Sequence, residues 1–243
     1  MNTLIYGQIG SGKTHFAVEQ FVIKAIEQGR FVYTNIDFGV KWDFQISARF
    51  SEYLDKDVSN FIKVVPETQK FLKMLELMAY DEKGSHLPFS SVVVIDEAHQ
   101  IFNYLKTNFV NKQVWEFLAY ARHFNIDLVF ITQSPELLSK FVINLCNNFI
   151  RVEGLKNVSS LMKNKYKIYV SNSLNSQPLE ERFRTYNKDI FKLYKSYVAD
   201  KDDPVFKRKN LVKGFAVPAF GFITVILLLL YTVTHTTFLN FFL

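Results

Sequence analysis

Eight residues constrain this chain more than any other feature: Gly7-Gln-Ile-Gly-Ser-Gly-Lys-Thr14. They follow Thr3-Leu-Ile-Tyr6, a short apolar run that reads as a strand. They precede His15–Gln28, where Phe16, Ala17, Phe21, Val22, Ala25 and Ile26 recur at helical spacing and Gly29 ends the pattern. A strand, a glycine-rich turn and a helix opening on Lys-Thr satisfy G-x-x-x-x-G-K-[ST], a phosphate loop, in the context it requires. Gly7, Gly10 and Gly12 allow backbone conformations closed to residues with side chains. The N–H groups of Gly10, Ser11, Gly12 and Lys13 then point inward at a phosphate, at the positive end of the helix dipole. Lys13 places a compact charge on the β/γ oxygens, and the Thr14 hydroxyl is a Mg²⁺ ligand. The implied cofactors are ATP and Mg²⁺.

A second stretch completes the chemistry. Val92-Val-Val-Ile-Asp96-Glu97 is a hydrophobic strand ending in two acids. Asp96 can hold Mg²⁺ through water, and Glu97 can polarise an attacking water. Thr132-Gln133 closes another core strand. Gln133 is either a sensor beside the γ-phosphate or an ordinary polar residue at a strand end. Two look-alikes fail. Asp96-Glu-Ala-His99 spells a helicase box, but that class needs two such domains, and the residues before the apolar C-terminus hold one. A GTPase needs Asn-Lys-x-Asp, and Asn111-Lys-Gln-Val114 and Asn187-Lys-Asp-Ile190 both lack the final Asp. His99 reads as support for the turn after Asp96.

The rest of the chain alternates strands and helices. Strands are expected at 31–34, 61–65, 91–95, 128–132 and 149–152, and a hairpin at 165–170 and 182–186. Helices are expected at 67–80, 97–105, 111–124 and 189–198, with one more opened by Ser134-Pro135 as cap and first residue. Residues 37–60 carry no readable pattern. Ser91-Val-Val-Val-Ile95 is apolar without interruption, as in a strand buried on both faces of a parallel sheet. The fold class is therefore α/β, a parallel sheet flanked by helices of the RecA/FtsK-like P-loop NTPase kind.

A third group of residues is read two ways. Arg122, between a helix and a strand, is either an arginine finger reaching a neighbour's γ-phosphate or a solvated surface arginine. Arg151, Arg182 and Arg184 are alternatives. One cysteine, Cys146, and five histidines give no zinc pattern and no internal disulfide. Trp115, Phe117 and Tyr120 lie at helical spacing and read as core or subunit interface.

The C-terminus is of another kind. All 29 Lys+Arg and 23 Asp+Glu residues lie within 1–213, and Gly214–Leu243 carries none. An uncharged run of about 20 residues spans the hydrocarbon of a bilayer. Lys201, Lys207, Arg208, Lys209 and Lys213 precede this run and nothing basic follows it. The positive-inside rule then places the N-terminus in the cytoplasm. No signal peptide is read at Met1-Asn-Thr-Leu-Ile-Tyr, so insertion is expected to use this span. The expected organisation is a cytoplasmic P-loop ATPase domain at 1–199, a basic linker at 200–213 and a single transmembrane helix at 214–235. A short extracytoplasmic tail follows at 236–243. The net charge of +6 is partly this linker, which suits anionic lipid head groups and says little about nucleic acid.

Taken in order, the Gly7–Thr14 loop, Val92–His99, Tyr120-Ala-Arg-His-Phe-Asn-Ile-Asp-Leu-Val-Phe-Ile-Thr-Gln133 and Ile190-Phe-Lys-Leu-Tyr-Lys-Ser-Tyr197, with a span after them, resemble the zonular occludens toxin family. That family includes the gene I assembly protein of filamentous phages. The resemblance extends over about residues 1–235. It implies an ATP hydrolase in the host inner membrane that drives assembly and extrusion of a single-stranded DNA virion. It also implies a homo-oligomeric ring, with phage coat proteins, the DNA–protein complex and membrane lipids as partners. Family members often carry a sizeable domain beyond the span; here about ten residues follow Val233, so no contact with an outer-membrane channel is expected. Two other functions stay open at this point. One is a membrane-tethered DNA translocase of conjugation or segregation, although such pumps usually place their spans before the motor. The other is a non-catalytic ATP-binding scaffold, against which the intact Lys13, Thr14, Asp96 and Glu97 argue.

Overall fold

The computed structural model describes residues 1–39, 43–55, 57–58, 61–77, 90–105, 109–156, 158 and 162–195. The basic linker, the expected transmembrane helix at 214–235 and the tail lie outside these residues. Among the described residues no helix is long and apolar enough to cross a membrane. The chain divides into two units, Met1–Gly154 with Lys165–Lys201, and Leu155–Asn164 with Asp202–Leu243. The described part of the second contains a turn in which Val158 N–H donates to the Leu155 carbonyl at 3.0 Å.

The first unit is built on one eight-stranded sheet. Its strands are β1 (Asn2–Tyr6), β2 (Val32–Thr34), β3 (Ile62–Val64), β4 (Val92–Ile95), β5 (Asp127–Thr132), β6 (Asn148–Gly154), β7 (Lys165–Ser171) and β8 (Glu180–Thr185). Their order is β3-β2-β4-β5-β1-β6-β7-β8. The pairings from β3 to β6 are parallel, and β7 and β8 add an antiparallel hairpin.

Alternation along each central strand sends side chains to two cores. Ile5, Val92, Val94, Val129 and Ile131 enter one core, with Ile46 and Phe50 of α3 (Asp43–Leu54). Leu4, Val93, Ile95, Leu128 and Phe130 enter the other. There they meet Phe71 of α4 (Thr68–Leu77), Phe117 of α5 (Lys112–Tyr120) and Val142 of α6 (Lys140–Leu145). Each fully buried aliphatic side chain contributes roughly 1.5–3 kcal/mol, which is why β4 needs no polar face. The segment that leaves the phosphate loop covers the first core. It is α-helical over α1 (Lys13–Ala17), π-helical over Val18–Ile23 and α-helical again over α2 (Lys24–Glu27).

Several local expectations are corrected. Residues 97–105 form only a 3₁₀ turn, Ala98–Gln100, because Glu97 enters it in the left-handed region at φ 46° and Asn103 is drawn into a bridge with Leu138. Ser134 and Pro135 open a 3₁₀ turn, Pro135–Leu137, and the helix beyond starts later. Its cap is Ser139, whose hydroxyl accepts from Val142 N–H at 3.4 Å. The unassigned stretch after residue 37 contains α3, and the last helix among the described residues is α7 (Lys188–Leu193).

Candidate active site

Parallel pairing brings the C-terminal ends of β1, β4 and β5 to one edge of the sheet. β5 lies between the other two. The phosphate loop leaves β1, Asp96-Glu97 leaves β4, and Gln133 leaves β5 between them. Three segments spread over 127 residues, from Gly7 to Gln133, therefore meet at one edge of the sheet.

The loop geometry accounts for its glycines. A Cβ on Gly7 would lie 2.2 Å from the Val152 carbonyl oxygen, so β6 packs directly on the start of the loop. Gly12 holds φ 91°, and a Cβ there would lie 2.4 Å from the Tyr186 ring. Beyond it, Phe16 N–H donates to the Gly12 carbonyl at 2.9 Å and the helix begins. Ser11 Oγ is buried without a hydrogen-bond partner. Lys13 is buried, and its Nζ donates to the Gln8 carbonyl across the loop at 3.0 Å. Burial lowers the Lys13 pKa, opposed by the negative charges of Glu97 and Asp96. An ammonium held in this way is well placed for exchange onto phosphate oxygens.

Thr14 Oγ1 donates to Asp96 Oδ2 at 3.1 Å, joining the two halves of the site. Burial of the Asp96 carboxylate, with Glu97 beside it, pushes its pKa up to about 6. The Glu97 backbone N–H and the Thr14 hydroxyl pull in the other direction. A buried carboxylate with so little compensation favours a cation, and a hydroxyl next to a carboxylate is the hard-oxygen set that Mg²⁺ takes together with waters and phosphate oxygens. Thr14 and Asp96 thus fit the metal role assigned to them.

Glu97 is held by neighbours from two elements. Its Oε1 accepts from Gln133 Nε2 at 3.5 Å, and its Oε2 lies 3.3 Å from His99 Nδ1. His99 Nδ1 also lies 3.3 Å from Thr132 Oγ1. The imidazole thus braces the turn against the end of β5. The left-handed backbone of Glu97 is uncommon for a residue with a side chain, and such strain persists only where surroundings fix it.

Asn35 supplies that fixing, and nothing in its local sequence announced it. At the end of β2, its Nδ2 donates to the Asp96 carbonyl at 2.8 Å and its Oδ1 accepts from Asp96 N–H at 2.6 Å. The pair locks the Asp96–Glu97 backbone. The reasoning that marked Gln133, a polar residue ending a core strand, would have found Asn35 had the neighbour of β4 been known. Tyr186 is the other residue that sequence reading missed. It follows β8 and reaches the phosphate loop from the far end of the chain.

The arginines are distributed otherwise. Arg122 is exposed in the 3₁₀ turn Ala121–Phe124, which precedes β5 and so lies at the sheet edge opposite the loop. Arg151 is on β6 in register with Tyr6, its guanidinium 4.1 Å from the centre of the Tyr169 ring. Arg184 pairs with Glu19 at 2.9 Å, and Arg182 pairs with Glu180. Phe117 is core, Trp115 packs partly against it, and Tyr120 is exposed.

Comparison with known proteins adds a family. The family model for zonular occludens toxin (Zot) matches residues 1–201. No curated protein sequence matches the chain. Among solved structures, the N-terminal domain of zonular occludens toxin from Neisseria meningitidis is 20% identical with a TM-score of 0.49; the match covers 80% of this chain and 98% of that one. A further solved ATPase domain is 11% identical with a TM-score of 0.51, over 78% of this chain and 82% of that one. The genome packaging NTPase B204 from Sulfolobus turreted icosahedral virus 2, in complex with ATP-gammaS, is 17% identical with a TM-score of 0.45. That match covers 77% of this chain and 97% of that one. The likeness to the solved ATPase domain is one of fold.

Proposed function

The chain belongs to the zonular occludens toxin family, and on that premise we propose that it is a membrane-anchored ATPase driving assembly and extrusion of a filamentous single-stranded DNA phage. The observation that carries the reading is the convergence of Lys13, Thr14, Asp96, Glu97 and Gln133 on one sheet edge, joined by the Thr14–Asp96 hydrogen bond. ATP would lie with its phosphates on the N–H groups of Gly10–Lys13. Mg²⁺, when held at Thr14 and Asp96, supplies charge neutralisation at the phosphates. Lys13 leaves the Gln8 carbonyl for phosphate oxygens. Glu97, aimed by His99 and Gln133, takes a proton from the attacking water. Gln133 links the Glu97 carboxylate to the end of β5 and would register loss of the γ-phosphate.

The anchor is the uncharged span at 214–235, oriented by the basic residues before it. A single span per chain suits a homo-oligomer whose spans surround one axis, with coat subunits and the DNA–protein complex meeting the cytoplasmic domains. Arg122 lies at the edge away from its own loop and would serve a γ-phosphate only in a neighbouring copy.

In cells producing the phage that carries this chain, Glu97→Gln is expected to stop virion release while intracellular single-stranded DNA accumulates. Release at the normal rate would overturn the extrusion reading. A reporter active only outside the cytoplasm should be active when fused after Leu243 and silent when fused at Ala199; the reverse pattern would overturn the orientation. For the ring, Arg122→Ala chains mixed with Lys13→Ala chains should recover hydrolysis, and no recovery would remove Arg122 as a finger in trans.

A further inference from the structure

Beyond the motif residues, the phosphate loop touches a segment from the other end of the chain. Tyr186 follows β8, and its hydroxyl donates to the Ser11 carbonyl at 2.9 Å. Its ring occupies the space beside Gly12 where any Cβ would fall. The ring is fixed from other sides. It stacks on Tyr166 at 4.7 Å and 23°, and it meets His15 edge-on at 5.3 Å.

The segment that carries Tyr186 is fastened along its length. The Asn187 carbonyl and His15 Nε2 lie 3.0 Å apart, the Asn187 side chain caps α7, and Ile190 and Leu193 are buried in the first core. Lys195 N–H donates to the Asp37 carbonyl at 2.7 Å. His15 is completely buried, and burial lowers its pKa, so the ring stays neutral in this aromatic nest. Burial also pushes the Tyr186 phenol up to about 12, so the hydroxyl keeps its proton, and remains a donor, across the physiological range.

Peptide planarity turns this contact into a statement about the ligand. In a trans peptide the C=O and the following N–H point in opposite directions. Holding the Ser11 carbonyl outward on Tyr186 therefore aims the Gly12 N–H inward, at the phosphate position. A glycine, unlike other residues, tolerates either orientation of such a peptide at this position, where φ is 91°.

We propose that Tyr186 is a positioning residue for the nucleotide phosphates, fixing the Ser11–Gly12 peptide so that the Gly12 N–H is preset to receive an anion. The inference rests on the reading that this loop binds nucleotide. It also makes the C-terminal segment, from which the chain continues toward its basic linker, part of the nucleotide site.

The test uses the full chain in detergent or lipid discs. It compares wild type, Tyr186→Phe and Tyr166→Phe for binding of a fluorescent ATP analogue, for KM and kcat of ATP hydrolysis, and for thermal unfolding without nucleotide. Tyr186→Phe keeps the ring and its packing and removes only the donor. It should weaken nucleotide affinity and raise KM about five- to tenfold, the scale of one hydrogen bond, with kcat within twofold. Tyr166→Phe removes a buried hydroxyl from the same cluster, but that hydroxyl donates to Glu19 at 3.2 Å and not to the loop. It should lower the unfolding temperature and leave affinity and KM unchanged. Equal weakening by both variants would reduce Tyr186 to general packing, and undiminished affinity in Tyr186→Phe would overturn the inference alone. A wild-type chain that binds no nucleotide would overturn the nucleotide reading and the inference with it.

Discussion

β4 and β8 belong to one sheet and are made on opposite terms. Val92-Val-Val-Ile95 is buried at every residue, with a core on each face and a strand on each side. Glu180-Glu-Arg-Phe-Arg-Thr185 is the sheet edge, with most of its residues exposed, Phe183 at 65%. Charged side chains along such an edge discourage pairing with a further strand. The interior strand is held by burial on both faces and by pairing with β2 and β5, so its end is a rigid mount for Asp96 and Glu97. The edge strand contributes little burial of its own and serves to carry the chain back to the phosphate loop through Tyr186. Position in the sheet separates a strand that mounts the paired acids from one that returns the chain to the phosphate loop.

That contrast can be strained in order of expected effect. Lys13→Ala strikes the rigid half where the phosphate charge is met. Nucleotide affinity should fall at least about 100-fold, since a charge-assisted contact to phosphate is lost and the buried Asp96 carboxylate and its neighbour Glu97 lose their counter-charge. Equilibrium binding of a fluorescent ATP analogue checks it, and near-normal affinity would remove Lys13 from the site.

Glu97→Gln should keep binding and cut kcat by about 10²–10⁴, the usual weight of a general base. Single-turnover hydrolysis with Mg²⁺ reads this directly, and wild-type turnover would take Glu97 out of the base role.

Asp96→Asn tests the cost of mounting an acid on a buried strand. The unfolded carboxyl titrates near 3.8 and the folded one near 6. Between these values the folded chain keeps a proton that the unfolded chain has released. Stability therefore falls as pH rises through this window, and the whole cost stands above it. Without Mg²⁺ or nucleotide, Asp96→Asn should be more stable than wild type by on the order of 2 kcal/mol at pH 7.5, with the difference vanishing near pH 3.5. Urea unfolding across that range would show a pH-independent difference if burial of the charge were not the cause.

At the edge, Arg182→Ala removes an exposed side chain that pairs with Glu180 on the same strand. Stability should change by no more than about 0.5 kcal/mol and hydrolysis not at all. A larger loss would mean that β8 does more than carry the chain back.

How far the sequence carried can be judged residue by residue. The central strands were legible because burial on both faces forces an uninterrupted apolar run, as in Val92–Ile95. The hairpin was legible because one covered face forces alternation, as in Lys165–Ser171. Glu97 was legible as an acid ending a buried strand, but not that it would break the helix expected over 97–105. That break comes from the left-handed Glu97, which follows Asp96, whose backbone is held by Asn35, 61 positions away from Asp96. Ser139 in place of Ser134 as the helix cap has the same origin, since the bridge between Asn103 and Leu138 extends the chain before the helix can start.

The sequence by itself determined a phosphate loop, two acids at the end of a buried strand, a parallel α/β sheet and an uncharged C-terminal run, because each leaves a local signature in residue type and spacing. Tertiary structure alone decided that β5 lies between β1 and β4, which sets Gln133 against Glu97 and Thr14 against Asp96. It also decided that Asn35 locks the acidic turn and that Tyr186 braces the loop. Those contacts depend on strand order and on which segment returns to which edge, and no local pattern in the chain encodes them.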